Sequence, residues 1–238
     1  MKRITLDDDR PNLIVPIVER NLTDTLTVIT DTNKSQADMI ELRIDYWDDM
    51  SQLTFKTFQL INELTKLPII VTWRTAAEGG CIDFNKSQYE RIYASAISAG
   101  ISVIDVEYRL FSEVNNLLEL AHTHGTKVIG SYHNFQSTPD NLTDIMMSID
   151  RSSADIVKVA VMPESKQNVD FVLNAAKKIV KPAIVISMGE LGIRSRYEGI
   201  KYGSRFTFGT RGKSSAPGQP TIEELNRYFM EEKNEKIK

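Results

Sequence analysis

The chain has 238 residues, with Lys+Arg 29 against Asp+Glu 32 and a net charge of −3. That balance lacks the basic excess of a nucleic-acid binder. With 41% hydrophobic and 26% charged residues, it is an ordinary globular composition that excludes disorder over most of the length.

Residues 1–11 precede the first apolar run and are expected to cover one end of the fold. The opening Met1-Lys2-Arg3-Ile4-Thr5-Leu6 has no apolar segment of a secretory signal. No later run approaches the roughly 18 apolar residues of a spanning helix. The single cysteine, Cys81, permits no internal disulfide, so a cytoplasmic setting is expected. Sequons beginning at Asn21, Asn33, Asn85 and Asn141 are therefore read as chance matches.

Eight short Ile/Val-rich runs follow: Leu13–Val18, Met39–Ile44, Pro68–Trp73, Ser102–Val106, Lys127–Tyr132, Ile156–Val161, Ala183–Ser187 and Arg205–Phe208. They read as buried parallel strands. Amphipathic stretches lie between them, among them Lys86–Ala99, Ser112–His122, Pro139–Ile149 and Ser165–Val180. A final helix opens at Thr221 with Glu224 three residues later, a capping box. Strict strand–helix alternation at 25–30 residues per unit favours a closed (β/α)8 TIM barrel, a single domain over residues 1–238, over an open doubly wound sheet.

Polar residues interrupt the strands towards their C-terminal ends. Alternation puts Glu41, Arg43 and Asp45 on one face, Thr72 with Arg74, Asp105 with Glu107, and Ser131 with His133. In an open sheet these faces would meet solvent. In a barrel ringed by helices they point inward and converge at the mouth, where active sites of this fold lie.

Lys158 sits in Ile156-Val157-Lys158-Val159-Ala160-Val161 with no obvious solvent face. Burial alone would lower its pKa and make it a nucleophile towards a carbonyl. A buried carboxylate partner would instead make it structural. His133, at a strand end, is the general-base candidate. His122 and His124 belong to a helix C-terminus. Cys81 has no arranged base and reads as a bystander. No metal-ligand spacing and no phosphate loop occurs. Arg194 to Arg196 and the segment Ser214 to Gln219 suit carboxylate recognition and a closing loop.

With these motifs in order, the chain resembles the type I 3-dehydroquinate dehydratases. The resemblance rests on Glu41-Leu42-Arg43-Ile44-Asp45, Arg74 with Glu78-Gly79-Gly80, Ser131-Tyr132-His133-Asn134-Phe135, and Lys158-Val159-Ala160-Val161-Met162-Pro163. It continues through Ser187-Met188-Gly189, Arg196, and Phe208-Gly209 to Ser215-Ala216-Pro217-Gly218-Gln219. It implies a (β/α)8 barrel, no cofactor, no metal, 3-dehydroquinate as the small-molecule substrate and a homodimer. It further implies that Lys158 forms an imine with the C3 ketone. His133 would take a C2 proton and return it to the departing C1 hydroxyl. Arg196, Ser215 and Gln219 would hold the carboxylate, while Glu41, Arg43 and Arg74 would bind ring hydroxyls. Glu78 would support the site from the mouth, with Met188 and Phe208 as apolar walls. Pro16 stands where many relatives carry a small hydroxyl residue. Two other readings stay open: an aldolase-like Schiff-base lyase, which would need a phosphate cradle, and a silent barrel that senses a hydroxy acid.

Overall fold

Strands and helices alternate through the computed structural model, which describes residues 2–212 and 218–236. The strands are β1 (Asn12–Ile17), β2 (Met39–Arg43), β3 (Ile69–Thr72), β4 (Val103–Glu107), β5 (Lys127–Asn134), β6 (Ile156–Val161), β7 (Ala183–Ser187) and β8 (Phe206–Phe208). The helices are α1 (Leu22–Thr32), α2 (Phe55–Leu64), α3 (Lys86–Ser98), α4 (Asn115–Thr123), α5 (Leu142–Arg151), α6 (Lys166–Ala176), α7 (Arg194–Glu198) and α8 (Ile222–Lys236).

All strand pairs are parallel, in the order β7-β6-β5-β4-β3-β2-β1-β8. The seam between β7 and β8 is held by one bridge, Ala183 to Ser204. There the Arg205 N–H donates to the Ala183 carbonyl at 2.7 Å. The Val185 N–H finds the Ser204 hydroxyl at 3.0 Å instead of a neighbouring strand. The result is a single-domain (β/α)8 barrel with one short, loosely laced strand. No helix among the described residues is long and apolar enough to cross a membrane.

Alternation explains why these runs fold this way. One set of strand residues, including Leu42, Val71, Val106 and Val159, packs outward against the helices. The other set faces the barrel axis. Its lower layer is apolar: Ile14, Met39, Ile70, Val103, Ile129, Ile156, Ile184 and Phe206 form one buried cluster, and Ile4 packs against it. One alternation further along lie Glu41, Thr72, Asp105, Ser131 and Lys158, all buried. The barrel is thus oily at its N-terminal end and charged towards its C-terminal end, as the strand pattern implied.

Pro16 sits inside β1 in register with Glu41. A proline in a central strand normally breaks a ladder. Here the Asn12 N–H and the Ile14 carbonyl bond towards the β8 side, while the Leu13 carbonyl bonds towards β2. Position 16 therefore turns its missing N–H towards β8, which has already ended at Phe208. The proline therefore interrupts none of the ladder bonds between β1 and β2.

Several boundaries differ from the sequence expectation. Strand β2 stops at Arg43, and Ile44–Tyr46 forms a 3-10 turn. Asp45 therefore leaves the strand face yet stays buried. Strand β5 runs two residues further than expected, carrying His133 inside the ladder opposite Ala160. Helix α6 ends at Ala176 rather than Val180, and Pro182 bars a helical continuation at the residue before it. The capping box of α8 is formed. The Thr221 N–H donates to Glu224 at 2.8 Å, and the Glu224 N–H donates to the Thr221 hydroxyl at 3.2 Å. Two of the sequon asparagines have structural work: Asn21 and Asn85 cap α1 and α3 by accepting from the Asp24 and Gln88 N–H groups.

Candidate active site

Lys158 projects from the middle of β6 into the charged layer, and its residue is 5% exposed. It is not the isolated ammonium that its apolar neighbours suggested. Its Nζ donates to Glu41 Oε1 at 2.9 Å and to Asp105 Oδ2 at 2.8 Å, and lies 4.8 Å from the centroid of the Phe208 ring. Its neighbours in sequence could not reveal these partners, which arrive from β2, β4 and β8.

Asp105 is the hub of the layer. Its other oxygen accepts from Arg74 Nη2 at 2.6 Å and from the Ser131 hydroxyl at 2.7 Å. Burial works to raise the Asp105 pKa, but Arg74 and Lys158 outweigh it and hold the carboxyl well below the usual carboxylate range. Arg74 also donates to the Ser131 hydroxyl at 2.9 Å and pairs with Glu107 at 3.2 Å. These carboxylates outweigh its burial and keep the guanidinium firmly charged. Arg43 is gripped by Asp45 through two bonds of 2.8 Å, which fix its fork in one orientation.

His133 is tied down from behind. Its backbone N–H donates to Glu78 Oε2 at 3.0 Å, and Nδ1 lies 3.0 Å from the same oxygen. With Oε2 acting as the acceptor for Nδ1–H, Nε2 is left as the basic nitrogen of the ring. Burial, reinforced by Arg74 and Lys158, pushes the imidazole pKa well below its ordinary value. The ring therefore stays neutral at physiological pH and can accept a proton.

Glu78, expected to support the site from the mouth, is buried and holds His133 through its backbone N–H and its ring. The turn Ala76–Glu78 ends in a left-handed Gly79 at φ 83. A Cβ on Gly80 would lie 1.8 Å from the Arg74 carbonyl oxygen. The two glycines thus let the turn fold Glu78 inward. Burial, with Glu107 and Asp105 nearby, raises the Glu78 carboxyl to about 8 despite the opposing pull of Arg74.

This shift has a stability consequence. Glu78 titrates near 8 when folded and near its ordinary 4.5 when unfolded. The folded state holds the extra proton between those limits, so this contribution is complete below the lower value and is lost as the pH rises through the upper one. The depressed His133 acts oppositely, removing stability as the pH falls below 6.5. Glu78→Gln is expected to flatten the decline of the urea midpoint between about pH 5 and pH 8, leaving the His133 limb. An unchanged slope in the variant would refute this assignment.

Arg196 stands apart from the network. It lies in α7, is 2% exposed, and donates through Nη1 to the Phe208 carbonyl at 3.3 Å. Its Nε is buried without a hydrogen-bond partner, and no carboxylate pairs with it among the described residues. Burial lowers its pKa to about 10. A guanidinium so placed is a standing site for an anion.

Glu41, Arg43, Arg74, His133, Lys158, Arg196, Met188, Phe208 and Gln219 all line one cavity. Met188, Phe208 and also Ile186 form its apolar side. Ser215 lies outside the described residues. Sequence reading assigned no role to Asp105, Ser131 or Glu107, although their shared strand face was visible in the alternation.

A barrel with a lysine, a neutral imidazole and a waiting guanidinium around one small pocket belongs with the lysine-imine enzymes that act on keto acids. The family model of type I 3-dehydroquinase matches residues 13–235. A 3-dehydroquinate dehydratase of Bacillus licheniformis is 35% identical over 239 residues, covering 94% of this chain and 93% of the relative. The crystal structure of 3-dehydroquinate dehydratase from Geobacillus kaustophilus superposes with a TM-score of 0.89 at 28% identity, covering 94% of this chain and 92% of that one. The type I enzyme of Clostridium difficile, described with covalently modified comenic acid, gives 0.88 at 28% identity over 96% and 94% of the two chains. The chain belongs to the type I 3-dehydroquinase family.

Proposed function

We propose that this chain dehydrates 3-dehydroquinate to 3-dehydroshikimate and water through an imine on Lys158, a step of the shikimate route. The observation that carries the reading is the pairing, in one pocket, of the Lys158 amine with a buried arginine that has no counter-ion among the described residues. A keto acid supplies both complements: a carbonyl for the amine and a carboxylate for Arg196. A protonated imine draws electrons from C2, so the adjacent C–H becomes acidic. His133 takes that proton through its free nitrogen and returns it to the hydroxyl leaving C1, one base serving both steps. Arg43 and Arg74, held by Asp45 and Asp105, orient the ring hydroxyls together with Glu41. Gln219 assists Arg196 at the carboxylate, a task the family resemblance gives to Ser215 as well. Met188 and Phe208 keep the face of the ring dry.

Incubation with 3-dehydroquinate and sodium borohydride, followed by peptide mass spectrometry, tests the reading. A reduced adduct on Lys158 is expected. An intact fold that gives neither adduct nor 3-dehydroshikimate would overturn it. Arg196→Gln is expected to lower kcat/KM by about 10²-fold, mostly through KM, because a charge-assisted pair of about 1.5–3 kcal/mol is lost. An unchanged KM would remove Arg196 from the carboxylate.

The family resemblance and the single cysteine also support a homodimer working in the cytoplasm. Light scattering on the purified chain is expected to give the mass of two copies, and a monomer would refute the dimer.

A further inference from the structure

Two carboxylates touch the reacting nitrogen, and their surroundings differ. Asp105 is held by Lys158 on one oxygen and by Arg74 and Ser131 on the other. Its strand is also anchored from outside the barrel, where the Tyr93 hydroxyl donates to the Asp105 carbonyl at 2.7 Å and accepts from the Trp73 N–H at 2.8 Å. Glu41 is held lightly. Its hydrogen bonds among the described residues both fall on Oε1, from Lys158 at 2.9 Å and from the Thr72 hydroxyl at 3.0 Å. No arginine is paired with it among the described residues, and it lines the cavity. His133, the proton-transfer base of the later steps, makes no hydrogen bond to Nζ. Its Nδ1 is committed to Glu78.

We propose that these carboxylates divide the work of forming the imine: Asp105 remains a fixed counter-ion to Lys158, while Glu41 accepts the Nζ proton and later returns it. The inference rests on the Lys158 imine reading. A proton on Asp105 would leave the buried Arg74 short of its closest partner, which is costly. A proton on Glu41 gives up the attraction to an ammonium that is being neutralised in the same event and a longer-range attraction to Arg43, which keeps Asp45 as its paired carboxylate.

The balance closes. The ammonium passes one proton to Glu41 and becomes an amine. Its lone pair attacks the ketone carbon, and the carbonyl π pair moves to oxygen. That oxygen takes a second proton from the nitrogen, giving the neutral carbinolamine. Glu41 then returns its proton to the same oxygen, which leaves as water while the nitrogen lone pair forms the C=N bond. The nitrogen carries one positive charge before the sequence and one after it. Asp105 therefore faces a cation at both ends of the step, and a fixed negative charge there needs no reorganisation. The charged and titratable groups around Nζ are Glu41 and Arg43 from β2, Arg74 following β3, Asp105 and Glu107 from β4, and His133 from β5, with Glu78 behind it.

The test is single-turnover mixing with saturating 3-dehydroquinate, borohydride quenching and quantification of the Lys158 adduct from about pH 6 to about pH 9. Wild type, Glu41→Gln, Glu41→Asp and Asp105→Asn are compared, with circular dichroism to establish folding. The wild-type rate is expected to be nearly flat. In Glu41→Gln it is expected to fall about 10²-fold at neutral pH and to rise about tenfold per pH unit, as hydroxide replaces the carboxylate. Glu41→Asp keeps an acid and is expected to keep the flat profile at a lower rate. Asp105→Asn is expected to lower the final adduct occupancy at least about tenfold. A Glu41→Gln rate that is normal, or uniformly slow at every pH, overturns the proton role. Full occupancy in Asp105→Asn overturns the counter-ion role. Absence of adduct in the wild type overturns the underlying imine reading instead, so the two failures are distinguishable.

Discussion

An alanine at position 158 is expected to abolish the borohydride-stable adduct and to lower kcat by about 10⁴-fold or more, the scale of losing a covalent nucleophile. The chain itself is expected to remain folded. Outward neighbours Val157 and Val159 keep their packing against the helices. Asp105 keeps Arg74 and Ser131, so no buried carboxylate there loses its last partner. Glu41 loses its cation but keeps the Thr72 hydroxyl and faces the cavity. Circular dichroism and a thermal melt, run beside the trapping assay, separate chemistry from stability. Measurable turnover above about a hundredth of wild type would refute the imine.

His133→Ala is expected to behave in the opposite way on the adduct. Turnover falls by about 10³-fold, the contribution of a positioned general base. The Lys158 adduct still forms and accumulates, because Nζ makes no hydrogen bond to His133 and is held by Glu41 and Asp105. The kcat of the intact enzyme is expected to persist below pH 6.5 before its acid limb begins, since burial lowers the imidazole pKa below that ordinary value. Loss of the adduct together with turnover would show that His133 also drives imine formation and would contradict the role given to Glu41. The pair of variants thus orders the reaction: one blocks entry to the covalent intermediate and the other blocks exit from it.

These predictions rest on side chains that the sequence located unevenly. Lys158 was visible because a charge inside a strand with valines on both sides is rare in an ordinary core. The shared face of Glu41 and Arg43 followed from a repeat of two. Asp105 was visible by the same rule, yet nothing along the chain distinguished it from a solvated strand acid. Its importance comes from facing β3, β5 and β6 at once. Glu78 was legible as a motif residue but its burial was not, because the turn through Gly79 and Gly80 rather than the strand sets its position. Asn21 and Asn85 carried a capping signal that the sequon match obscured: each immediately precedes a helical stretch.

The sequence by itself determined the number and kind of elements, the inward face of each strand, and the graded interior that is apolar at one end and charged at the other. Periodicity encodes these because a side chain's face depends only on local backbone geometry. Only the tertiary structure decided who meets whom: Lys158 with Glu41 across 117 positions and with Asp105 across 53, His133 with Glu78, and Arg196 with no carboxylate among the described residues. These meetings follow from how strands and helices pack around a closed barrel, and an interior ion pair forms where the stagger of neighbouring strands brings the charges level. The same packing buries the charges, and burial turns a lysine, a histidine and an arginine, common on any surface, into a site for chemistry.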